Sequence, residues 1–353
     1  MNSRALALRQ AFIGPAALRG LLRWTVGLLI GFGGFGLFVA LVGNSPIHAL
    51  SEMWRAAFGS QLGLAEVAVA AAPTILCALA VAVPAKAGLW NLGGQGQFVF
   101  GVMGATLVSQ WLDAGTPPWI AVPMIGLGGA LAGALWAGVP AVLRVAVGLN
   151  EAISSLLLGY VAIRVLQYAV HGPWKDAASL GFPQARPFPD SHRLPGLGVG
   201  RLHAGVIVAV VAAIAVGLLI SRTRWGFDLR VVGGNNEAAR RAGLPVKRLI
   251  ATSMMVGGGL AGVAGMVQLA GAEFQARPEI AGLYGFLGFL VSWLSGHSPG
   301  WIVVAGLAIG AITVGGDGLQ IGAGLPGASV NILMALLLLS VLGRRGRLRG
   351  AEG

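Results

Sequence analysis

The chain has 353 residues, of which 56% are hydrophobic and 10% are charged, and its formal net charge is +12. Soluble domains are roughly 25% charged, so this composition excludes an ordinary soluble protein and indicates an integral membrane protein. The basic excess does not indicate nucleic-acid binding, because the Lys and Arg residues lie beside apolar segments and orient the chain in the bilayer. We therefore predict a single all-α, polytopic domain over residues 1–353.

The N-terminal segment, residues 1–21, is basic and precedes an apolar run from Trp24 to Val42. This run is longer than the apolar part of a secretory signal and has no clear cleavage site. We predict an uncleaved first span rather than a signal peptide.

A membrane-crossing helix needs about 20 apolar residues. The candidate spans are approximately 22–42, 65–85, 94–111, 119–142, 151–170, 204–220, 249–271, 281–296, 300–317 and 328–343. With both termini in the cytoplasm, 17 Lys and Arg residues fall inside and six outside, with Arg164 left within a span. Since basic residues concentrate on the cytoplasmic side of membrane proteins, this bias predicts ten spans with cytoplasmic N- and C-termini.

This topology leaves three further polar segments: an outer loop at residues 171–203, a cytoplasmic loop at 221–248 and a basic cytoplasmic tail at 344–353. Within the spans, small residues recur four positions apart, as in Gly129–Gly133, Gly258–Gly262 and Ala261–Gly265. Such spacing predicts close packing of membrane helices.

Residues 86–97, KAGLWNLGGQGQ, separate the second and third spans and are here named the bend. Glycines and amide side chains at this position predict backbone that leaves helical geometry, which membrane proteins tolerate where it lines a cavity or packs in protein. The alternative is a cytoplasmic turn with a helix start near Gly94. The predicted substrate-pathway residues here are Asn91, Gly93, Gly94, Gln95, Gly96 and Gln97.

Four ionisable residues lie near or within spans, where charge is costly: Glu66, Glu151, Arg164 and Asp317. Glu151 follows Asn150 and suits the first turn of a helix. Arg164 lies 13 residues further on, about 20 Å toward the outer side, where it either faces the substrate pathway or extends to the interface. Asp317, among glycines, is expected in a turn.

The cytoplasmic loop contains the longest polar stretch between two apolar spans, Arg222 to Arg248. Asn235 and Asn236 are suitable helix caps, Glu237 favours a first turn, and Gly243 followed by Pro245 ends a helix. The loop therefore predicts a short amphipathic helix that meets something in water.

Known catalytic and nucleotide-binding patterns are missing from the sequence. It contains no Walker A pattern, no HExxH pattern and no GxSxG pattern, and its five histidines are scattered. Its single cysteine, Cys77, lies in an apolar run and can form no internal disulfide. We expect no catalytic residue and no metal site in this chain.

Three stretches resemble a known family. The E-A-A-x-x-x-G pattern at 237–243 resembles the coupling loop of ATP-binding-cassette (ABC) importer permeases, which inserts into a separate ATPase subunit. AGLWNLGGQGQF resembles the N-I-G-x-E-G-Q signature of the branched-chain amino acid, simple sugar and nucleoside permeases, with Gln95 where that signature carries Glu. GLNEAISSLLLGYVAIRVLQYAVHGPWKD is similar to their N-E-x-I span and G-P-x-K loop.

The resemblance covers about residues 67–343 and is strongest to permeases that work with nucleoside-binding lipoproteins. It implies a transport subunit in the bacterial cytoplasmic (inner) membrane, without cofactors of its own, with ATP and Mg²⁺ bound by a partner ATPase. The implied partners are that ABC ATPase subunit, a second permease subunit, an extracytoplasmic solute-binding lipoprotein and membrane lipid, with no nucleic acid. The ATPase-coupling residues implied are Asn235, Asn236, Glu237, Ala238, Ala239, Arg240, Arg241 and Gly243.

The expected solute is a nucleoside, and the alternatives within this class are a simple sugar or a riboflavin-like compound. An ATPase-independent secondary transporter is the alternative outside it. That class needs its own ion-coupling site, and the spans hold few carboxylates suited to one.

Overall fold

The structure, a computed structural model, describes residues 15–179, 181–337 and 339. Within these residues the regular secondary structure is helical, with two isolated β-bridges in the outer loop and no β-strand. The prediction of an all-α protein is confirmed. Most of the predicted basic N-terminus, residues 1–14, and the predicted tail, residues 344–353, lie outside the described residues.

We number twelve helices of the described part of the chain in chain order. They are α1 Pro15–Leu41, α2 Pro46–Phe58, α3 Gln61–Ala85, α4 Gly94–Trp111, α5 Pro118–Val147, α6 Glu151–His171, α7 Gly205–Arg222, α8 Arg224–Gly234, α9 Asn236–Arg241, α10 Val246–Gln268, α11 Tyr284–Leu294 and α12 Pro299–Gly322. Residues 329–337 are also helical, and 3-10 turns lie at Asp190–His192 and Pro278–Ala281.

Six helices in the described residues are long and apolar enough to cross a membrane, and a bent pair at the N-terminus makes a seventh candidate. The six are α3, α5, α6, α7, α10 with its π-helical extension to Glu273, and α12. They support a multi-pass membrane protein, and the total of ten spans stays a prediction.

The span predicted at 281–296 is shorter in the structure. Helix α11 has 11 residues and is about 17 Å long, little more than half of the roughly 30 Å hydrocarbon core. The residues before it, 274–283, are mainly non-helical apart from one 3-10 turn, and we name them the connector. The predicted bounds were too wide because residues 281–283 and 295–296, on either side of the helix, are apolar or small and uncharged.

The chain divides into two compact units, residues 61–311 and residues 1–60 with 312–353. In the larger unit, α3 is the central helix, and 89% of its most apolar window is buried. It is apolar on every side, as expected for a helix surrounded by others. The neighbouring segment of α12 runs antiparallel to α3, because Gly306 lies against Ile75 and Gly310 against Val67.

In the smaller unit, α1 and α2 meet at a bend of 118°. Ser45 caps α2, and the helix buries Ala49, Met53 and Ala57 on one side. Asp317 lies inside α12, which continues to Gly322, so the predicted turn at Asp317 is wrong. The glycines around it serve packing instead, since a Cβ added to Gly318 would meet Ala56.

The predicted small-residue packing is confirmed where α5 and α10 cross. A Cβ on Gly262 would overlap the carbonyl oxygen of Gly129, and a Cβ on Gly258 would overlap that of Gly133. Only hydrogen at these positions lets the two backbones touch. This crossing joins the cytoplasmic loop, which leads into α10, to the interior of the larger unit.

Candidate functional site

The loop predicted to be cytoplasmic, residues 221–248, folds into two helices, and we keep the name cytoplasmic loop for it. The predicted short helix is confirmed as α9, with the Asn235 side chain accepting a hydrogen bond from the Ala238 N–H at 2.9 Å. Gly243 has φ +81°, a left-handed conformation that glycine adopts readily, and α9 ends there. The preceding helix, α8, was missed by sequence reasoning, although Thr223 is its N-cap and accepts from the Gly226 N–H at 3.1 Å.

Helix α9 has a buried side and a charged side. Ala239 is fully buried, whereas Glu237, Arg240 and Arg241 are exposed. Glu237 Oε1 lies 2.9 Å from Arg240 Nη2 and 3.2 Å from Arg241 Nε. These hydrogen bonds lower the pKa of the Glu237 carboxyl, so the group is ionised at neutral pH. The exposed residues Asn236 and Ala238 complete this surface.

Below this charged side, the two helices pack on the membrane helices. Leu229 and Val232 of α8 and Ala239 of α9 belong to one buried cluster. The same cluster contains residues of the bend, of α5 and of α10: Ala87, Leu89, Ala141, Leu249, Ile250 and Met254. The cytoplasmic loop and the bend therefore pack into the same buried cluster.

One backbone contact in this region is especially close. A Cβ on Gly233, near the end of α8, would overlap the carbonyl oxygen of Lys86, the first residue of the bend. Gly88 of the bend also approaches Gly233, since a Cβ on Gly88 would lie 3.5 Å from Gly233 Cα. Burial, followed by the nearby Arg230 charge, lowers the pKa of the Lys86 ammonium group.

The bend is non-helical from Lys86 to Gly93, and its amide side chains are buried. Asn91 Nδ2 donates to Gln97 Oε1 at 2.9 Å, and Gln97 Nε2 donates to Asn91 Oδ1 at 2.8 Å. Asn91 also donates to the Ala80 carbonyl at 3.2 Å and accepts from the Gly93 N–H at 3.2 Å. These amides satisfy one another and the backbone around them.

Gln95 makes a different set of contacts. Its Nε2 donates to the carbonyl oxygens of Ala281 and of Gly282, the latter at 3.3 Å. Its Oε1 accepts from the Gly285 N–H at 2.9 Å. The side chain is 2% exposed, so all three bonds lie inside the protein.

The predicted pathway glycines lie at close helix contacts. A Cβ on Gly93 would meet Ser155, and one on Gly96 would meet Gly159, both on α6. Gly94 lies beside Gly285, where a Cβ would be 3.6 Å from the carbonyl oxygen. The start of α4 is therefore enclosed by α6 and α11.

Glu151 occupies the first turn of α6, as predicted, with Asn150 as the N-cap. It also holds the bend, because its Oε1 accepts from the Trp90 N–H at 3.2 Å while Oε2 lies 3.4 Å from Arg144 Nε. The sequence did not indicate this second role, since Trp90 and Arg144 come from distant segments.

Arg164 lies apart from the bend, on the exposed side of α6, and donates to Gln167 Oε1 at 2.8 Å. Tyr160 and Tyr168 are exposed one helical turn before and after it. The chain has three tyrosines, and two of them share this stripe with Arg164. An arginine side chain is costly against lipid tails.

The outer loop is anchored by contacts that sequence reasoning did not foresee. His192 is buried, with Nδ1 2.8 Å from Ser109 Oγ on α4. Arg201 forms a two-point ion pair with Glu66 of α3, at 3.0 and 2.6 Å. Burial and the Arg201 charge lower the pKa of the neighbouring His203, against the opposite effect of Glu66.

Comparison with known proteins places these features in a family. Residues 63–342 match the family model described as branched-chain amino acid transport system / permease component. A glucose ABC transporter permease protein of Haloferax volcanii is 35% identical over 87% of this chain and 83% of its own length. No solved structure matches the chain significantly.

Two nucleoside-related permeases are also similar. A guanosine ABC transporter permease protein of Bacillus subtilis is 30% identical, covering 90% of this chain and 91% of its own. A nucleoside ABC transporter permease protein of Lactococcus lactis is 27% identical, with 89% and 88% covered.

Proposed function

Because the chain belongs to the branched-chain amino acid transport system / permease component family, we propose that it forms the membrane pathway of an ABC importer for nucleosides. The full-length similarity to guanosine and nucleoside permeases supports this solute class. The similarity to a glucose permease, at higher identity, favours a sugar as the second candidate. The two candidates are chemically related, because a nucleoside carries a ribose whose hydroxyl groups resemble those of a free sugar.

The observation that carries the proposal is the exposed side of α9. It presents Glu237, Arg240 and Arg241 to the cytoplasmic water, while Ala239 holds the helix on the buried cluster. We propose that this side docks on a separate ATPase subunit, with ATP and Mg²⁺ bound there. The proposed docking residues are Asn235, Asn236, Glu237, Ala238, Arg240, Arg241 and Gly243, and the buried Ala239 supports them from below.

The remaining partners follow from the same class of transporter. We propose a second permease subunit, which completes the pathway, and an extracytoplasmic solute-binding lipoprotein that delivers the solute to the outer loop. We also propose that the importer lies in the bacterial inner membrane, with both termini of this chain cytoplasmic.

For the pathway itself, we propose that the solute passes the Arg164 stripe of α6 and then the start of α4. A guanidinium group flanked by two phenols offers hydrogen bonds and ring contacts to a hydroxylated or heterocyclic solute. At the bend, the amides of Asn91 and Gln97 already bond each other within the protein. We therefore propose that these residues and the neighbouring glycines shape the wall of the pathway rather than bind the solute.

The test is uptake into proteoliposomes that hold the complete importer. We expect labelled guanosine to accumulate only with ATP, and excess glucose to compete only if the sugar alternative holds. Glu237→Arg should reduce uptake at least tenfold with normal membrane insertion, because the spans are untouched and the docking charge is reversed.

Lys247→Glu is the matched control, since it reverses an exposed charge of the same loop outside α9. Normal ATP-dependent uptake by Glu237→Arg would refute the docking assignment. Uptake by this chain without any ATPase would instead establish the secondary-transporter alternative.

A further inference from the structure

The bend and the connector meet beside the middle of α3. The bend returns along α3 from its end, since Asn91 Nδ2 reaches the carbonyl of Ala80. On the other side, Gly288 of α11 lies against Cys77, about two thirds along the 25-residue α3. Helices α4 and α11 therefore both begin inside the larger unit rather than at its surface.

Gln95 is the side chain that joins these two breaks. Helix starts leave backbone groups without intrahelical partners, and at membrane depth no water is present to satisfy them. Gln95 donates to the carbonyls of Ala281 and Gly282 and accepts from the Gly285 N–H. An amide performs both tasks at once, whereas a carboxylate only accepts.

The connector is in turn bound to the outer loop. The Ala185 N–H donates to the Ala276 carbonyl at 2.9 Å, and the Phe188 N–H donates to the Phe274 carbonyl at 2.7 Å. The Arg193 guanidinium also lies 4.6 Å from the centre of the Phe274 ring. Any shift of the connector is therefore passed to the outer loop through backbone bonds.

We propose that Gln95 is a positioning residue that makes the bend and the connector move as one body. A displacement of α8 reaches the bend through the Gly233–Lys86 backbone contact, and Gln95 carries it to the connector and the outer loop. The consequence for transport rests on the proposed import function. The three hydrogen bonds of Gln95, here named the joint, do not depend on that function, because they lie within this chain.

The test replaces Gln95 with a side chain of similar length that makes no hydrogen bonds. Gln95→Met in the complete importer should lower the number of guanosine molecules imported per ATP hydrolysed about tenfold, the scale of one or two net hydrogen bonds. Assembly and the ATPase rate should change less than twofold. A residue that only stabilised the fold would lower assembly, ATPase rate and uptake together.

Hydrogen–deuterium exchange tests the joint without any transport. In Gln95→Met the amides of residues 281–288 should exchange at least tenfold faster, because the Gly285 N–H loses its acceptor, while α5 is unchanged. The control is Gln110→Met, the same replacement at an exposed position of α4. If Gln95→Met does not assemble, Gln95→Asn keeps the amide but shortens its reach, and the same direction is expected.

Native exchange at 281–288 in the Gln95 variants, or an unchanged ratio of solute to ATP, overturns the positioning role. Absence of guanosine and glucose uptake by the native importer would refute the proposed function instead. The exchange measurement would still decide whether Gln95 joins the two segments.

Discussion

The cytoplasmic loop and the bend are both rich in glycine and polar side chains, yet the structure treats their polar groups in opposite ways. In the loop, the charged groups of Glu237, Arg240 and Arg241 are exposed on α9. In the bend, the amides of Asn91 and Gln97 are at most 1% exposed and bonded to each other.

This difference shows that polar side chains serve two purposes in this mostly apolar chain. Exposed charge remains available to a partner that approaches from water, whereas a buried amide without a partner would cost free energy and must be satisfied internally. The loop is therefore suited to docking, and the bend to holding a shape. Gly233 and Lys86 are where the two regions touch.

The largest effect is expected where the two regions meet. Gly233→Val places a side chain on the Lys86 carbonyl and should abolish uptake, with a loss of about 3 kcal/mol in unfolding free energy, the upper range for overpacking. Thermal unfolding and uptake of the purified importer measure both. Gly234→Val is the matched control, because nothing lies within 4 Å of a Cβ there. Equal behaviour of the two variants would contradict a close contact between Gly233 and Lys86.

A smaller effect is expected from removing one amide in each region. Asn91→Ala leaves Gln97 and the Gly93 N–H without a partner inside the protein, so unfolding free energy should fall by about 2 kcal/mol. Asn236→Ala removes an exposed amide from α9 and should leave stability unchanged within about 0.5 kcal/mol. The comparison fails if both variants unfold at the same temperature.

The smallest effect concerns the charge pairs of α9. Hydrogen bonds from Arg240 and Arg241 lower the pKa of Glu237, so these pairs stabilise the folded helix above the carboxyl's ordinary pKa. That contribution is lost as the pH falls through the lowered pKa. The melting temperature of Glu237→Gln should therefore lie slightly below that of the native protein at neutral pH, and the difference should vanish once the pH is below the lowered pKa. A difference that grows in acid would have the wrong sign.

The sequence predicted α9 nearly to the residue, because its signals are local: Asn235 caps the first turn and Gly243 adopts the left-handed conformation that ends it. Helix α8 has an equally local signal in Thr223, but its polar, glycine-containing sequence concealed it. The length of α11 was overestimated because hydrophobicity does not show that the uncharged residues beside Tyr284–Leu294 lie outside the helix.

The bend was predicted as a departure from helical geometry, and that much followed from its glycines and amides. The partners of Gln95 did not, because Ala281, Gly282 and Gly285 lie almost 190 residues away along the chain. The position of Glu151 in the first turn of α6 was likewise predictable from its neighbours in sequence. Its hydrogen bond with Trp90 was not, because Trp90 lies in a distant segment of the chain.

By itself, the sequence determined that this protein is a helical membrane protein, that its loop at 221–248 carries a capped helix, and that its helices pack through small residues. These properties depend on hydrophobicity, on backbone preferences and on spacings within one turn. Only the tertiary structure decided which polar groups face water and which satisfy each other. A hydrogen bond between distant segments depends on how helices pack, and that packing determines that the bend and the connector meet at Gln95.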